Sequence, residues 1–219
     1  MPKMKADYLE KKRNEILDAA LALCMKKPMH EVSMRDIISE VGFSQGNIYR
    51  YFSNLDEVLI ALIKREVIEF DVKTAVDEVI TSAEPPEKIL AEIMGIWDRA
   101  ILDSYLGVGK ILFELVALYA NDKERLIRLV TDNAATENQG YLQVKTFEFV
   151  GQKVSEGYFK PTLPLEDIIN FFIASIDGII RNLILSVHYN VMPVALEKEK
   201  LLKSLTTAFI LLLGGKIHD

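Results

Sequence analysis

Along almost the whole chain, apolar side chains recur at three- and four-residue steps, and no stretch alternates apolar and polar residues between turn signals. This periodicity constrains the chain more than any other feature, because residues three and four apart share one helix face whereas a half-buried strand needs a period of two. It predicts an all-α fold of about nine helices. The first is predicted over residues 7 to 25, with Ile16, Leu17, Ala20, Leu21 and Cys24 on one face. Ser33 opens a short second helix through its spacing to Asp36, a variant of the capping box, and Gly42 closes it. Ser44 caps a third that runs to Phe52, and Asn54 begins a long fourth reaching about Ser82. Further helices are predicted over residues 87 to 103, 106 to 120, 123 to 156, 165 to 190 and 195 to 213, broken by Gly107, Asn121, residues 157 to 164 and Pro193.

With 219 residues, half of them hydrophobic and 26% charged, the chain is an ordered globule that needs no disulfide or metal staple. Its one cysteine, Cys24, permits no internal disulfide, and residues 1 to 17 lack the apolar stretch of a secretory signal, so a cytoplasmic protein is expected. The net charge of −6 is unevenly spread: residues 1 to 55 carry +2 and the remainder −8. A mildly basic head on an acidic body suits a small module that approaches a polyanion.

Residues 168 to 187 (IINFFIASIDGIIRNLILSV) are long enough to span a bilayer, yet Asn170, Asp177, Arg181 and Asn182 lie inside the run. Charge at the centre of a lone spanning helix is costly, so the expectation is a helix covered by protein and no membrane partner. The last helix offers a second wide apolar surface through Leu201, Leu202, Leu205, Ala208, Phe209, Leu212 and Leu213. Docking of the helices near 165–190 and 195–213 on their mates would make a homodimer with a four-helix interface.

Residues 33 to 59 (SMRDIISEVGFSQGNIYRYFSNLDEVL) spell helix, glycine turn, helix. Ile37 and Val41 of the first helix and Ile48 and Phe52 of the second face inward, which leaves the second helix projecting. Its outer positions, Gln45, Gly46, Asn47, Tyr49, Arg50 and Tyr51, form an amide, guanidinium and phenol set suited to base edges and phosphates.

The segment resembles the N-terminal DNA-binding domain of the TetR/AcrR family of transcriptional regulators over roughly residues 10 to 63. The resemblance rests on Ser33, Arg35, Ile37, the run Val41, Gly42, Phe43 and Ser44, then Gly46, Ile48, Tyr49, Tyr51, Phe52, and Asn54 to Asp56. Leu55 stands where a lysine is usual in that family, Ile38 where a small alanine is, and Phe43 is bulkier than the common valine. Residues 1–55 then form a helix-turn-helix DNA-binding domain and residues 56–219 a helical ligand-binding and dimerisation domain. Ser33 and Ser44 are helix caps that could also donate to phosphates. Arg35, Gln45 and Asn47 are candidates for base contact, Tyr49 and Tyr51 for phosphates, and Arg50 is a further candidate.

The resemblance implies a ligand-responsive regulator, foremost a repressor that binds a palindromic operator of double-stranded DNA as a homodimer and is released by a small apolar or amphipathic effector. A small-molecule-binding helical dimer without operator function is the alternative. Effector candidates within the helical body are Met94, Trp97, Tyr105, Phe113, Asn138, Tyr141 and Phe172, with plain core packing as the competing reading of each. His30, His188 and His218 are far apart and lack metal-ligand spacing, and no phosphate loop, Gly-x-Ser-x-Gly or His-Glu-x-x-His occurs, so neither metal, cofactor nor enzymatic activity is expected. Asp98, Asp103 and Glu114 read as acids on solvated helix faces, and Cys24 as a small buried hydrophobe.

Overall fold

A computed structural model describes residues 2–66, 70–130, 134–191 and 197–217. Among these residues every regular element is helical: α1 (Pro2–Lys26), α2 (Met34–Val41), α3 (Gln45–Ile48), α4 (Leu55–Glu66), α5 (Val72–Ile80), α6 (Pro86–Trp97), α7 (Asp103–Tyr119), α8 (Lys123–Val130), α9 (Ala134–Ser155), α10 (Leu165–Tyr189) and α11 (Lys198–Leu212). A 3-10 turn at Met29–Glu31 and a π turn at Asp98–Leu102 complete the set. The all-α expectation holds, but eleven described helices replace about nine. Where one long helix is expected from Asn54 to Ser82, the carboxylate of Asp71 accepts from Thr74 N–H at 3.1 Å and starts α5 afresh. The stretch expected as one helix over residues 123 to 156 is described as α8 and α9, with residues 131–133 between them outside the described residues.

The contacts divide the chain into two compact units. The first joins residues 1–67 with residues 108–133, so it extends past the boundary expected after residue 55. The reason lies in α4: Val58, Leu59, Leu62 and Ile63 are buried there, and Arg65 reaches α1, donating to Asp18 Oδ1 at 2.8 Å and to the Asn14 carbonyl at 3.2 Å. Ile16, Leu17, Ala20 and Cys24 of α1 are fully buried, as their spacing predicts, and each large aliphatic among them contributes about 1.5 to 3 kcal/mol through burial. The first turn of α4 is clamped to α8 by Arg125, whose Nη2 and Nε donate to the two oxygens of Asp56 at 2.7 and 3.1 Å while its guanidinium stacks on Tyr119.

The second unit is a bundle in which α6 packs on α5, α9 and α11, and α10 packs on α11. Phe172 of α10 lies at its centre, 4.4 Å from the Phe209 ring of α11 and edge-on to Phe147 of α9. Gly214, past the end of α11, has φ +77°, and a Cβ there would fall 2.3 Å from the Lys160 carbonyl oxygen. Only glycine fits that crossing, which is tied further by Thr162 N–H donating to the Leu212 carbonyl at 2.9 Å. By length and composition α10 could cross a membrane, and a third of its most apolar window is buried within the chain.

Candidate nucleic-acid interface and ligand cavities

Helix α2 starts where Ser33 and Asp36 cap each other: the Ser33 hydroxyl accepts from Asp36 N–H, and Asp36 Oδ2 accepts from Ser33 N–H at 2.8 Å. The Ser33 hydroxyl also donates to Asp36 Oδ2, and this bond, with Lys27 Nζ 3.1 Å away and the Ser33 N–H, holds the Asp36 carboxyl below the usual aspartate range. The helix ends at Gly42, which takes the left-handed conformation at φ +71°. Ile37, Ile48 and Phe52 are buried and Val41 is half-buried, so α2 and the short α3 are pinned by the side chains that their spacing selects. From α1, Lys12 lies over the Phe43 ring and Arg13 over Phe52.

Two details differ from expectation. The third helix is a single turn, Gln45–Ile48, followed by turn residues rather than helix to Phe52. Ser44 occupies its N-cap position, yet its hydroxyl makes no capping bond, and the backbone carbonyl alone accepts from Asn47 and Ile48. The Ser44 hydroxyl is left for an outside partner, whereas that of Ser33 is engaged with Asp36.

Arg35, Ser44, Gln45, Gly46, Tyr49 and Arg50 are exposed, and Asn47 and Tyr51 are half-buried. Three other head cations are already paired: Lys12 with Glu15, Lys26 with Glu40 and Lys27 with Asp36. No ion pair ties Arg35 or Arg50 among the described residues. A Cβ built on Gly46 meets nothing within 4 Å, so no packing inside the chain explains the missing side chain. The surface thus presents two uncommitted guanidiniums, two amides, a free hydroxyl and a bare stretch of backbone around one helical turn, a combination suited to base edges and phosphates.

Residues 16–62 match the model of bacterial regulatory proteins of the tetR family. The helix-turn-helix-type transcriptional regulator YfiR of Bacillus subtilis is 30% identical over 186 residues, 83% of this chain and 84% of YfiR. The chain belongs to the TetR family. A more distant relative is the transcriptional repressor KstR2 of Mycobacterium tuberculosis, 22% identical over 166 residues that cover 76% of this chain and 78% of KstR2. Among solved structures, the TetR-family regulator PfmR of Thermus thermophilus shares the fold with a TM-score of 0.57 at 15% identity, over 93% of this chain and 99% of PfmR. TetR-family members are helix-turn-helix DNA-binding regulators of transcription, not enzymes, and act as dimers.

In this TetR-family chain the effector candidates described within the second unit do not share one cavity. Trp97 and Phe172 line a small cavity with Gln139, Gln143, Phe147, Ile173, Ile176 and Asp177. Its volume is about 10 Å³, room for about one water molecule. Met94 lines a different and larger cleft between α6 and α11. Asn138 is half-buried and lines neither. Tyr141 donates its hydroxyl to Asp77 Oδ1 at 2.7 Å, which pushes the phenol above the usual tyrosine range. Phe113 belongs to the first compact unit, and Tyr105 lies outside the residues whose side chains are described.

The indole N–H of Trp97, buried at 3% exposure, has no hydrogen-bond partner among the described residues. A buried donor without an acceptor costs about 1 to 3 kcal/mol, and Trp97 is also a lining residue of the small cavity. Gln139, Gln143 and Phe147, which line the cavity with Trp97, fall at four-residue steps on α9, a stripe that the spacing of the sequence already contains. Two acids expected on solvated faces are paired and largely covered: Glu114 is 17% exposed and paired with Lys110 at 2.8 Å, and Asp98 is 26% exposed and paired with Lys198 at 2.6 Å. Asp103 lies outside the described side chains. Among the described residues no group of three or more His, Cys, Asp or Glu is placed to hold a metal.

Proposed function

We propose that the protein is an effector-responsive repressor that acts in the cytoplasm as a homodimer on a palindromic operator. The observation that carries the operator reading is the set of unpaired polar groups around α3. Arg35, Gln45 and Asn47 contact base edges, while Ser44, Tyr49, Arg50 and Tyr51 hold phosphates; Ser33, whose hydroxyl is committed to Asp36, serves as the cap that aims α2. Gly46 lets the backbone approach the groove closely. Repression is favoured because the relative KstR2 is named a repressor.

Dimerisation is supported by apolar residues left open on the last two helices: Phe171 and Val187 of α10 and Leu211 of α11 are each more than half exposed. Covering them with a second copy accounts for the length and apolarity of α10 without a membrane. The effector enters beside Trp97. Its body is apolar, to suit Phe147, Phe172, Ile173 and Ile176, and it offers one acceptor to the indole N–H. A cavity of about 10 Å³ admits it only when α9 and α10 part, and that opening is the conformational difference through which binding lowers operator affinity.

Selection from random duplex DNA at about 0.15 M salt tests the reading. The expected winner is a palindrome with half-sites about one helical turn apart or somewhat more. In that duplex Arg35→Ala weakens binding without altering dimerisation, Gln45→Ala and Asn47→Ala relax sequence preference, and Tyr49→Phe weakens all sequences alike. A folded protein that enriches no sequence overturns the operator reading and leaves a small-molecule-binding dimer.

A further inference from the structure

We infer that the cleft between α6 and α11 is a second small-molecule site, separate from the Trp97 cavity, and that it takes an amphipathic organic anion with an apolar body and a carboxylate head. The cleft measures about 630 Å³, within the ~300 to 1,000 Å³ typical of ligand sites. Its floor is apolar, built from Ala91, Met94, Leu202, Ile210 and Ile217.

The polarity of the cleft follows from how its two helices run. At one end Lys198 of α11 pairs with Asp98, the residue just after α6, at 2.6 Å, and at the other the Lys216 backbone N–H donates to Glu87 Oε1 at 3.2 Å, so the helices are antiparallel. Most charged groups along the rim are already matched. Glu84 holds Lys88 at 2.8 Å, and the buried Glu87 also accepts from the Tyr158 hydroxyl at 2.7 Å. Among the described residues the ammonium groups of Lys203, midway along α11, and of Lys216, at the Glu87 end, make no ion pair, while Glu199, a carboxylate that makes none either, sits at the far end. An anionic head therefore settles between Lys203 and Lys216, and its tail runs over Met94 and Leu202.

Gly95 supplies the test. It lines the cleft, and a Cβ built there meets nothing within 4 Å, so Gly95→Leu fills the space while favouring the helix over glycine. Titration calorimetry with dodecanoate, below its micellar concentration, reads binding without operator DNA and so stands or falls independently of the operator reading. Dodecanoate is expected to bind the wild-type protein. Dodecanol, with the same tail and no charge, is expected to bind about tenfold or more weakly, and dodecyltrimethylammonium more weakly still. Lys203→Glu with Lys216→Glu lowers dodecanoate affinity by about tenfold or more, Gly95→Leu abolishes binding, and Trp97→Phe leaves it unchanged. The inference is overturned by absence of saturable dodecanoate binding below about 1 mM, by preference for the cationic amphiphile, or by indifference to Gly95→Leu. It is overturned equally by loss of binding in Trp97→Phe, which would place the molecule in the inner cavity. A change of oligomeric state in Gly95→Leu would identify the cleft as a surface between copies of the chain and overturn it as well.

Discussion

The ammonium of Lys110 on α7 lies 2.7 Å from the carbonyl oxygen of Cys24, in the last turn of α1, and 3.2 Å from that of Lys27. Carbonyls at a helix C-terminus lack partners inside the helix and attract positive charge. One turn along α7, Glu114 pairs with the same ammonium at 2.8 Å and accepts the Met29 N–H at 2.6 Å. The end of α1 is thus gripped by a donor and an acceptor from one helix. Lys110→Met leaves a largely buried carboxylate and orphaned carbonyls, and is expected to lower unfolding free energy by about 3 to 5 kcal/mol in denaturant titration. Glu114→Gln in the same background restores part of it. A loss below about 1 kcal/mol would mean that water replaces the ammonium.

Gly46 separates stability from function. Since a methyl group there has open space, Gly46→Ala should hold or raise the melting temperature, by the equivalent of about 1 kcal/mol at most. Operator affinity should nonetheless fall, because the added carbon comes between backbone and groove. Unchanged operator affinity would release the glycine from any role at the interface.

Cys24 carries a pH signature. Burial pushes its thiol up to about 11, against 9.0 for the free group. The unfolded chain therefore releases this proton first, and between pH 9 and 11 the native state binds more protons than the unfolded one, so stability falls as pH rises through that window. Below pH 9 the group contributes no slope. Cys24→Ala should flatten the decline, and the wild-type thiol should resist alkylation at neutral pH until the protein unfolds. Rapid alkylation of the native protein would contradict its burial.

Phe171 bears on association. It is 54% exposed on α10, and Phe171→Glu is expected to convert the dimer to a monomer in sedimentation experiments while leaving helical content intact. Persistence of the dimer would move the interface away from this helix.

Local rules made much of the head legible. The Ser33–Asp36 box and the left-handed Gly42 depend on residues within four positions of each other, and the buried set Ile16, Leu17, Ala20 and Cys24 follows from one periodicity. The break at Asp71 escaped notice because an acidic side chain capping a helix looks like any acid on a solvated face. Lys110 and Glu114 were illegible for a different reason: their partners lie more than 80 residues away, and no spacing encodes that meeting. The same holds for the α6 and α11 cleft, whose lysines acquire meaning only when the helices run side by side.

Trp97 is the sole tryptophan in the chain, and its buried indole N–H has no hydrogen-bond partner among the described residues. Such a ring emits at short wavelength, and its emission moves to longer wavelength when a polar group or water reaches the nitrogen. The residue that leaves a hydrogen bond unmade is thereby a built-in optical probe of the proposed effector entry: a shift in the colour of the protein's own fluorescence on ligand addition is the expected sign that α9 and α10 part.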